Sequence, residues 1–548
     1  MSSRPLLSIA TLGRCLGLLA LLALRVLTLR AYPLNSDEPQ HAHVAWSIGE
    51  GALPYRDVFD NHGPLFSAIY APLMHALGPR PDILVWLRLA VVPWYLLALV
   101  ATWYIARRLY SRGVADAAVA LTGLAYVFFV KMGEFRTDDL WTALWLCALA
   151  VAAHAGRWNG RWLIAGVLLG GALSVSQKTV PLSLMALLAA ACIWAAPCRA
   201  DPKGFLKRGL ALLAGVAVVP GAFWIYLAFR HDLGPAWYNL VAYNIAPTGD
   251  PSHAWPKVRF ALLAAAIVGV VTTGLRRAGP VDPSARWRLF VGLHGVLFGS
   301  FIWLAWPLPT DQDFLPIIPT LIVCLTGLVS RSGVLSQARA VGFVALLIAL
   351  ELVLLVKHAP PWHDALLYKE AQLRTVLACT SPDDTVMDAK SGAIFRRRPY
   401  YTVLESIALR RFRHGLQAED IAPALVAQHT MTVIEDRLPP ATHVFVAQNY
   451  LPGMANVFMA GKTVPEGRAA RGVDIVLAGN YTVTDGAREV PVSIDGGPAS
   501  SRWPLSAARH AVDTPYAKPL LLVWTPAWVC GWRPAVVEVA EPEPVRAS

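Results

Sequence analysis

The stretch YPLNSDEPQHAHVAWSIGEGALPYRDVFDNHGPLF, residues 32–66, starts where a first apolar run ends, and it soon reaches two adjacent carboxylates, Asp37 and Glu38. Three histidines, His41, His43 and His62, share it. The fold turns on whether this polar stretch belongs to a soluble domain or is an outer loop between membrane spans. Composition favours the loop. The chain has 548 residues, is 55% hydrophobic and only 15% charged, and contains 20 Trp; its mean hydropathy is +0.46. Soluble domains carry about 25% charged residues, so long apolar runs here must be membrane spans.

Apolar runs fall at 9–30, 83–106, 114–131, 140–156, 161–177, 180–197, 207–228, 258–275, 287–306, 315–330 and 338–357. Each approaches the ~17–25 residues a helix needs to cross the hydrocarbon core. The segment 64–79 is shorter and punctuated by proline, which suits an interfacial helix. Every second connection is basic: Arg107, Arg108 and Arg112; Arg157 and Arg161; Arg199, Lys203, Lys207 and Arg208; Arg276, Arg277, Arg286 and Arg288; Arg331 and Arg339. By the positive-inside rule these connections and the N-terminus face the cytoplasm. The expectation is a polytopic α-helical membrane protein of about 11 transmembrane helices with an extracytoplasmic C-terminal region. Residues 1–359 hold 29 Lys/Arg against 17 Asp/Glu, and the remainder 19 of each. The net charge of +12 therefore reflects topology, and no nucleic-acid partner is implied. The first 27 residues resemble a signal peptide in outline, but they lack a convincing small-residue cleavage site and Arg25 interrupts the apolar run. They read as a retained span.

The remaining connections face outward and hold the acids: Asp37, Glu38, Asp57 and Asp60; then KMGEFRTDDLW with Glu134, Arg136, Asp138 and Asp139; SVSQKTVPL with Lys178; and WPLPTDQDFLPIIP with Asp311, Gln312 and Asp313. A carboxylate at a helix start is commonly only a cap, and Ser36 or Asp37 could cap a helix beginning at Pro39. Capping does not explain two acidic pairs at one membrane depth. Acids beside a bilayer are costly unless they line a polar cavity, so the two pairs point to a shared one.

After residue 359 the pattern changes to short β-rich runs alternating with helix-like stretches. It reads as an α/β unit over 360–468, a small β-sandwich over 469–535 and a disordered acidic tail over 536–548. Of seven cysteines only Cys379 and Cys530 lie outside the membrane part. No spacing argues for or against their pairing, and no zinc pattern is present. The run Arg396–Arg398 reads as a solvated charge run, with contact to anionic headgroups as the alternative.

The order of a first span, Asp37-Glu38, the motif Asn61-His62-Gly63-Pro64-Leu65-Phe66, an interfacial helix and a second span ending in Arg107-Arg108-Leu109-Tyr110 resembles the GT-C superfamily of membrane glycosyltransferases. The pattern is closest to the branch with the lipid A aminoarabinose transferase and the protein O-mannosyltransferases. The resemblance covers residues 10–200, and the later spans match in architecture. It implies a GT-C-like transmembrane domain that moves a sugar from a polyprenyl-phosphate donor to a lipid, glycan or protein acceptor at the extracytoplasmic face, with membrane lipids as further partners. A bacterial inner membrane is the expected location. The implied catalytic residues are Asp37 as base, Glu38 as its neighbour or substitute, and Asp138 or Asp139 as orienting groups. Implied substrate contacts are His62, Arg136 and Lys178 on phosphate, with Asp311, Gln312 and Asp313 at the acceptor entrance. His62 departs from the family's Lys-Pro-Pro-Leu motif and is only partly charged near neutral pH. Some relatives hold a divalent ion with outer-loop carboxylates, and Asp37 and His41 share a helix face with His43 and His62 nearby; hydrogen bonding is the plainer role for these histidines, and the metal ligands stay unassigned. Residues 492–512 are similar to a PEGA-type accessory module. The competing class is a transporter or flippase of lipid-linked saccharide, which would place acids deep within the spans. Here they crowd the outer face.

Overall fold

The computed structural model describes residues 9–246, 248, 254–278, 281–331, 336–464, 471–516 and 518–535. The expected tail over 536–548 lies outside them. Eleven helices carry the site and its surroundings: α1 Ile9–Leu27, α2 Asp37–Gly49, α3 Leu65–Leu77, α4 Ile83–Ala90, α5 Val92–Leu109, α6 Arg112–Leu124, α7 Tyr126–Lys131, α8 Thr137–Ala155, α9 Asn159–Leu173, α10 Thr179–Ala200 and α11 Pro202–Phe229. Further long helices follow at Ala254–Ala278, Pro283–Ala305, Ile318–Arg331 and Gln337–His358. Helices thus occupy all eleven positions expected for spans.

Six of these segments are individually long and apolar enough to cross a membrane: Ile83–Leu109, Thr179–Ala200, Pro202–Phe229, Trp255–Arg277, Pro283–Ala305 and Ala338–His358. The most apolar stretches of Pro202–Phe229, Trp255–Arg277 and Ala338–His358 are only 11%, 0% and 6% buried by protein. Apolar side chains exposed all round a helix need lipid to cover them. The chain is an integral membrane protein. Close helix contact comes from small residues. A Cβ on Gly166 or Gly170 of α9 would lie 2.1 or 2.4 Å from a carbonyl of α11, and one on Gly215 of α11 would lie 2.2 Å from a carbonyl of α9. This is the backbone approach that small residues permit between membrane helices.

Among its described residues the C-terminal region contains ten strands: β1 Val386–Met387, β2 Thr432–Ile434, β3 Tyr450–Leu451, β4 Val457–Val464, β5 Arg471–Asp474, β6 Gly479–Thr484, β7 Ser493–Ile494, β8 Arg502–Leu505, β9 Arg509–Asp513 and β10 Leu520–Trp524. One sheet runs β1-β2-β4-β10-β6-β8, with β3 also paired to β4, and a smaller one runs β5-β9-β7. Among the described strands, β1 and β2 alone pair in parallel. The boundary expected at 468/469 cuts through the larger sheet, because β4 pairs antiparallel with β10, Val464 opposite Leu520. The α/β and β portions share that sheet and do not form separate ones. Cys379 and Cys530 form a disulfide, 151 residues apart in sequence, which the sequence left open.

Arg396 and Arg398 correct another expectation. Arg396 is buried and donates to Thr380 Oγ1 at 2.9 Å and to its carbonyl at 2.9 Å. Arg398 donates to the carbonyls of Asp388, Ala389 and Thr402, each at 3.2 Å. These two side chains tie loops together, and of the run only Arg397 is exposed.

The C-terminal region docks on the outer loops. Arg30, just after α1, pairs with Asp364 and Glu370, both at 2.7 Å. His43 Nδ1 meets the Ile394 carbonyl at 3.0 Å, and Asn61 Nδ2 donates to Glu405 at 3.1 Å. Breaking the disulfide with Cys379→Ser plus Cys530→Ser should cost about 2–5 kcal/mol. A thermal melt of the full chain in detergent should show a lower transition for the double variant, and added reductant should lower the wild type but leave the variant unmoved.

Candidate functional site

Four outer connections and one loop of the C-terminal region bring their charges together. Asp37 begins α2, Arg136 precedes α8, Lys178 precedes α10, Asp313 lies in the short turn Asp311–Phe314 and Lys390 comes from the loop after β1. Gly63 positions two of these connections. Its N–H donates to the Val175 carbonyl at 3.1 Å, and a Cβ there would lie 2.1 Å from the Ser174 carbonyl. Only glycine lets the His62 loop lie against the turn that leads to Lys178.

The charges alternate in sign. Lys390 Nζ holds Asp37 Oδ1, and Asp37 Oδ2 accepts from Arg136 Nη2 at 2.8 Å. Arg136 Nη2 also reaches Asp138 Oδ2 at 3.2 Å, and Asp138 Oδ1 accepts from Lys178 Nζ at 3.0 Å. Lys178 Nζ then meets Asp313 Oδ1 at 2.6 Å. Burial alone would raise the Asp37 carboxyl, but Arg136 and Lys390 outweigh it and hold the group well below the usual carboxylate range. Asp138, in the first turn of α8, likewise balances burial against Lys178 and Arg136 and ends below its ordinary value. These carboxylates stay ionised at neutral pH.

Asp37 is no helix cap. Ser36 makes no side-chain cap bond, and the Asp37 carboxylate is committed to Arg136 and Lys390. Lys178 is turned onto Asp138 and Asp313 and does not snorkel. Asp139 stands apart from its neighbour: it is fully buried, and neither carboxylate oxygen has a hydrogen-bond partner. Burial, with Asp138 and Glu134 nearby, pushes it well above the carboxylate range, so it is neutral. Asp313 is buried, and its Oδ2 accepts from the Thr310 N–H and hydroxyl at 2.8 Å each. The Gln312 carboxamide, with its oxygen turned to Arg136, accepts from Nη2 at 3.2 Å and Nη1 at 3.3 Å. Asp311 instead lines a cavity of about 170 Å3 with Tyr126, Lys131 and Glu134.

Glu38 departs from expectation. It and Arg88 are wholly buried and form a two-point pair, Nε to Oε2 at 2.8 Å and Nη2 to Oε1 at 2.7 Å. Oε2 also accepts from the Phe135 N–H at 3.1 Å, and Oε1 from the Asn35 N–H at 3.0 Å. The carboxylate is filled with donors, and its work is to fasten the first outer loop to α4 and to the second. Removing one partner of such a pair leaves a buried charge alone.

Two contributors escaped the sequence reading. Lys390 lies 353 positions from Asp37 and carries no local motif. Glu405, also C-terminal, is raised by burial, opposed by Lys390 and His62. A second cavity of about 320 Å3 opens beside Lys390, lined by Ser36, Pro39, Lys369, Asp388, Ser391 and Arg437 among others.

The histidines separate. His43 is occupied with Ile394. His62 Nδ1 and its backbone N–H both meet Asp60 Oδ1 at 3.0 Å, and its ring stands 4.7 Å from that of His41. His41, Asp60 and His62 each place one ligand-type atom within 4.8 Å of the others. Donors of this kind suit a divalent ion, whereas Asp37, the ligand suggested by its helix face, is taken by cations.

Residues 61–224 match the model of the dolichyl-phosphate-mannose-protein mannosyltransferase family. The fold is similar to that of ArnT from Cupriavidus metallidurans in the apo state, with a TM-score of 0.53 at 15% identity over 83% of this chain and 98% of that one. Against the same protein bound to undecaprenyl phosphate the TM-score is 0.52 at 16% identity, over 82% and 98%. No curated protein sequence matches the chain. The chain thus shares its fold with ArnT, and its match to the mannosyltransferase family model is confined to residues 61–224.

Arg88→Met should cost about 3–5 kcal/mol by stranding Glu38, and the joint change Glu38→Met with Arg88→Met should recover most of that. Thermal melting of the two variants in detergent checks the pair.

Proposed function

We propose that the chain transfers a sugar from a polyprenyl-phosphate carrier to a lipid, glycan or protein hydroxyl or amine at the extracytoplasmic membrane face. The observation that carries this reading is the alternating network in which Asp37 stands between Arg136 and Lys390, at the junction of the outer loops and the C-terminal region. The disulfide supports the sidedness, since such bonds persist in oxidising compartments. The charge pattern supports an orientation with the basic connections inside, and a bacterial inner membrane is the location that goes with this reading.

In this mechanism the acceptor oxygen or nitrogen attacks the anomeric carbon while its proton passes to a carboxylate oxygen of Asp37. The bond from the anomeric carbon to the phosphate oxygen breaks, and the polyprenyl phosphate leaves with the electron pair. Arg136 and Lys178 offset the charge that develops there. Arg136 Nε has no hydrogen-bond partner, and Lys178 uses two of its three N–H donors on carboxylates, so each retains a donor for phosphate. Asp138 and Asp313 hold Lys178 in place, and Gln312 braces Arg136. His62 contacts the donor from the other side, charged only while Asp60 keeps it protonated.

Asp37 held so low is a weak base. Lys390 is the removable part of its surroundings, because it comes from a different region of the chain and borders the larger cavity. An acceptor arriving there displaces the ammonium from Asp37 Oδ1, raises the carboxylate's basicity and puts its own proton donor in the vacated place.

Asp37→Asn should slow transfer from a labelled polyprenyl-phosphate sugar by roughly a hundredfold or more while the protein stays folded; equal rates would remove Asp37 as base. Lys390→Met takes away a cation that lowers the Asp37 carboxyl, so the acid limb of the pH–rate profile should move to higher pH. A limb that stays in place would separate Lys390 from the base.

A further inference from the structure

We infer that His41, Asp60 and His62 form a binding site for one divalent transition-metal ion, beside Asp37 and separate from the charge network. The strongest observation is His41. It is wholly buried, and neither ring nitrogen has a hydrogen-bond partner. Buried imidazole nitrogens are nearly always satisfied, and orphaned ones mark a missing partner. A second observation is Asp60, a buried carboxylate whose one ion-pair partner among the described residues is the half-buried His62. A buried carboxylate facing a single imidazole leaves negative charge for a cation to balance.

Geometry and chemistry agree. One ligand atom from each residue lies within 4.8 Å of the other two. Bonds of about 2.0–2.2 Å to a common ion need ligand atoms somewhat closer, which small side-chain rotations supply. Two imidazoles with one carboxylate favour zinc and its first-row neighbours over magnesium or calcium, which prefer all-oxygen sets. Three protein ligands leave a position open. His41 sits one helical turn from Asp37 on the same face of α2, so the open position lies close to the proposed base. In this state His62 serves as a ligand in place of contacting phosphate.

The site does not depend on the transferase reading, and metal uptake tests it alone. Full-length, tag-free protein in detergent is stripped with chelator, dialysed against Zn2+ and, separately, Mn2+, and assayed for metal content. The wild type should retain one ion per chain. His62→Gln and Asp60→Asn should bind at least about tenfold more weakly, and His41→Gln should lose the ion. His43→Gln is the control, because that ring is committed to the Ile394 carbonyl; it should bind as the wild type does. His62 is partly exposed, so His62→Gln keeps the test decisive should a His41 variant fail to fold. Asp37→Asn should lose transfer yet keep the ion, which distinguishes failure of the metal site from failure of the base. A wild type that retains neither ion stoichiometrically, or His62→Gln binding as tightly as the wild type, overturns the site.

Discussion

The arrangement depends on one constraint: six charges that alternate in sign from Lys390 through Asp37, Arg136, Asp138 and Lys178 to Asp313. Ions so shielded from water lose several kcal/mol of hydration each, and only close partners return it. Each inner member serves two neighbours, whereas Lys390, at the end, can leave with Asp37 still held by Arg136. The network therefore fixes how the outer loops lie against one another, together with apolar contacts such as Phe66 on Phe135. Helix packing brings the loops near each other; the ion pairs set their register.

The same constraint recruits the C-terminal region into the site. Arg30 with Asp364 and Glu370, and Asn61 with Glu405, fasten the region to the first outer loop, and Lys390 then reaches Asp37. Asp388 makes that reach reproducible: its carboxylate accepts from the backbone N–H groups of Lys390, Gly392 and Ala393 at 3.0, 2.8 and 3.1 Å. The loop is wound around one buried acid, and Lys390 projects from it. A region that sequence reads as an extracytoplasmic α/β unit thus lines the cavity beside Lys390.

What the sequence could reveal follows the range of the interactions. Spans were readable because hydropathy is local and lipid-facing helices are apolar all round. Asp37, Arg136, Asp138 and Lys178 stood out because sidedness sorted them into loops on one face. The division of labour within each acidic pair was hidden. Glu38 looks like a second catalytic acid until Arg88, fifty positions away, is seen to fill it. Lys390 and the β4–β10 pairing across the expected boundary are longer-range still, and no local pattern announces them. Arg396–Arg398 misled for a related reason: a basic run suggests water, but carbonyl groups that happen to converge on an arginine satisfy it equally well.

Asp138 and Asp139 show how finely burial divides neighbours. Both lie in the first turn of α8, about 100° apart around its axis, and both are buried. One faces two cations and is ionised; the other faces none within hydrogen-bonding reach and is neutral. A neutral Asp139 has a consequence for its neighbour. Ionised, it would repel Asp138 and raise its affinity for a proton, which would loosen the hold of Asp138 on Lys178. Keeping Asp139 protonated instead lets Asp138 retain its full charge and so keep Lys178 aimed. The pair divides by environment into one carboxylate that positions a cation and one carboxylic acid that does not disturb it, a distinction that two identical letters in a sequence cannot carry.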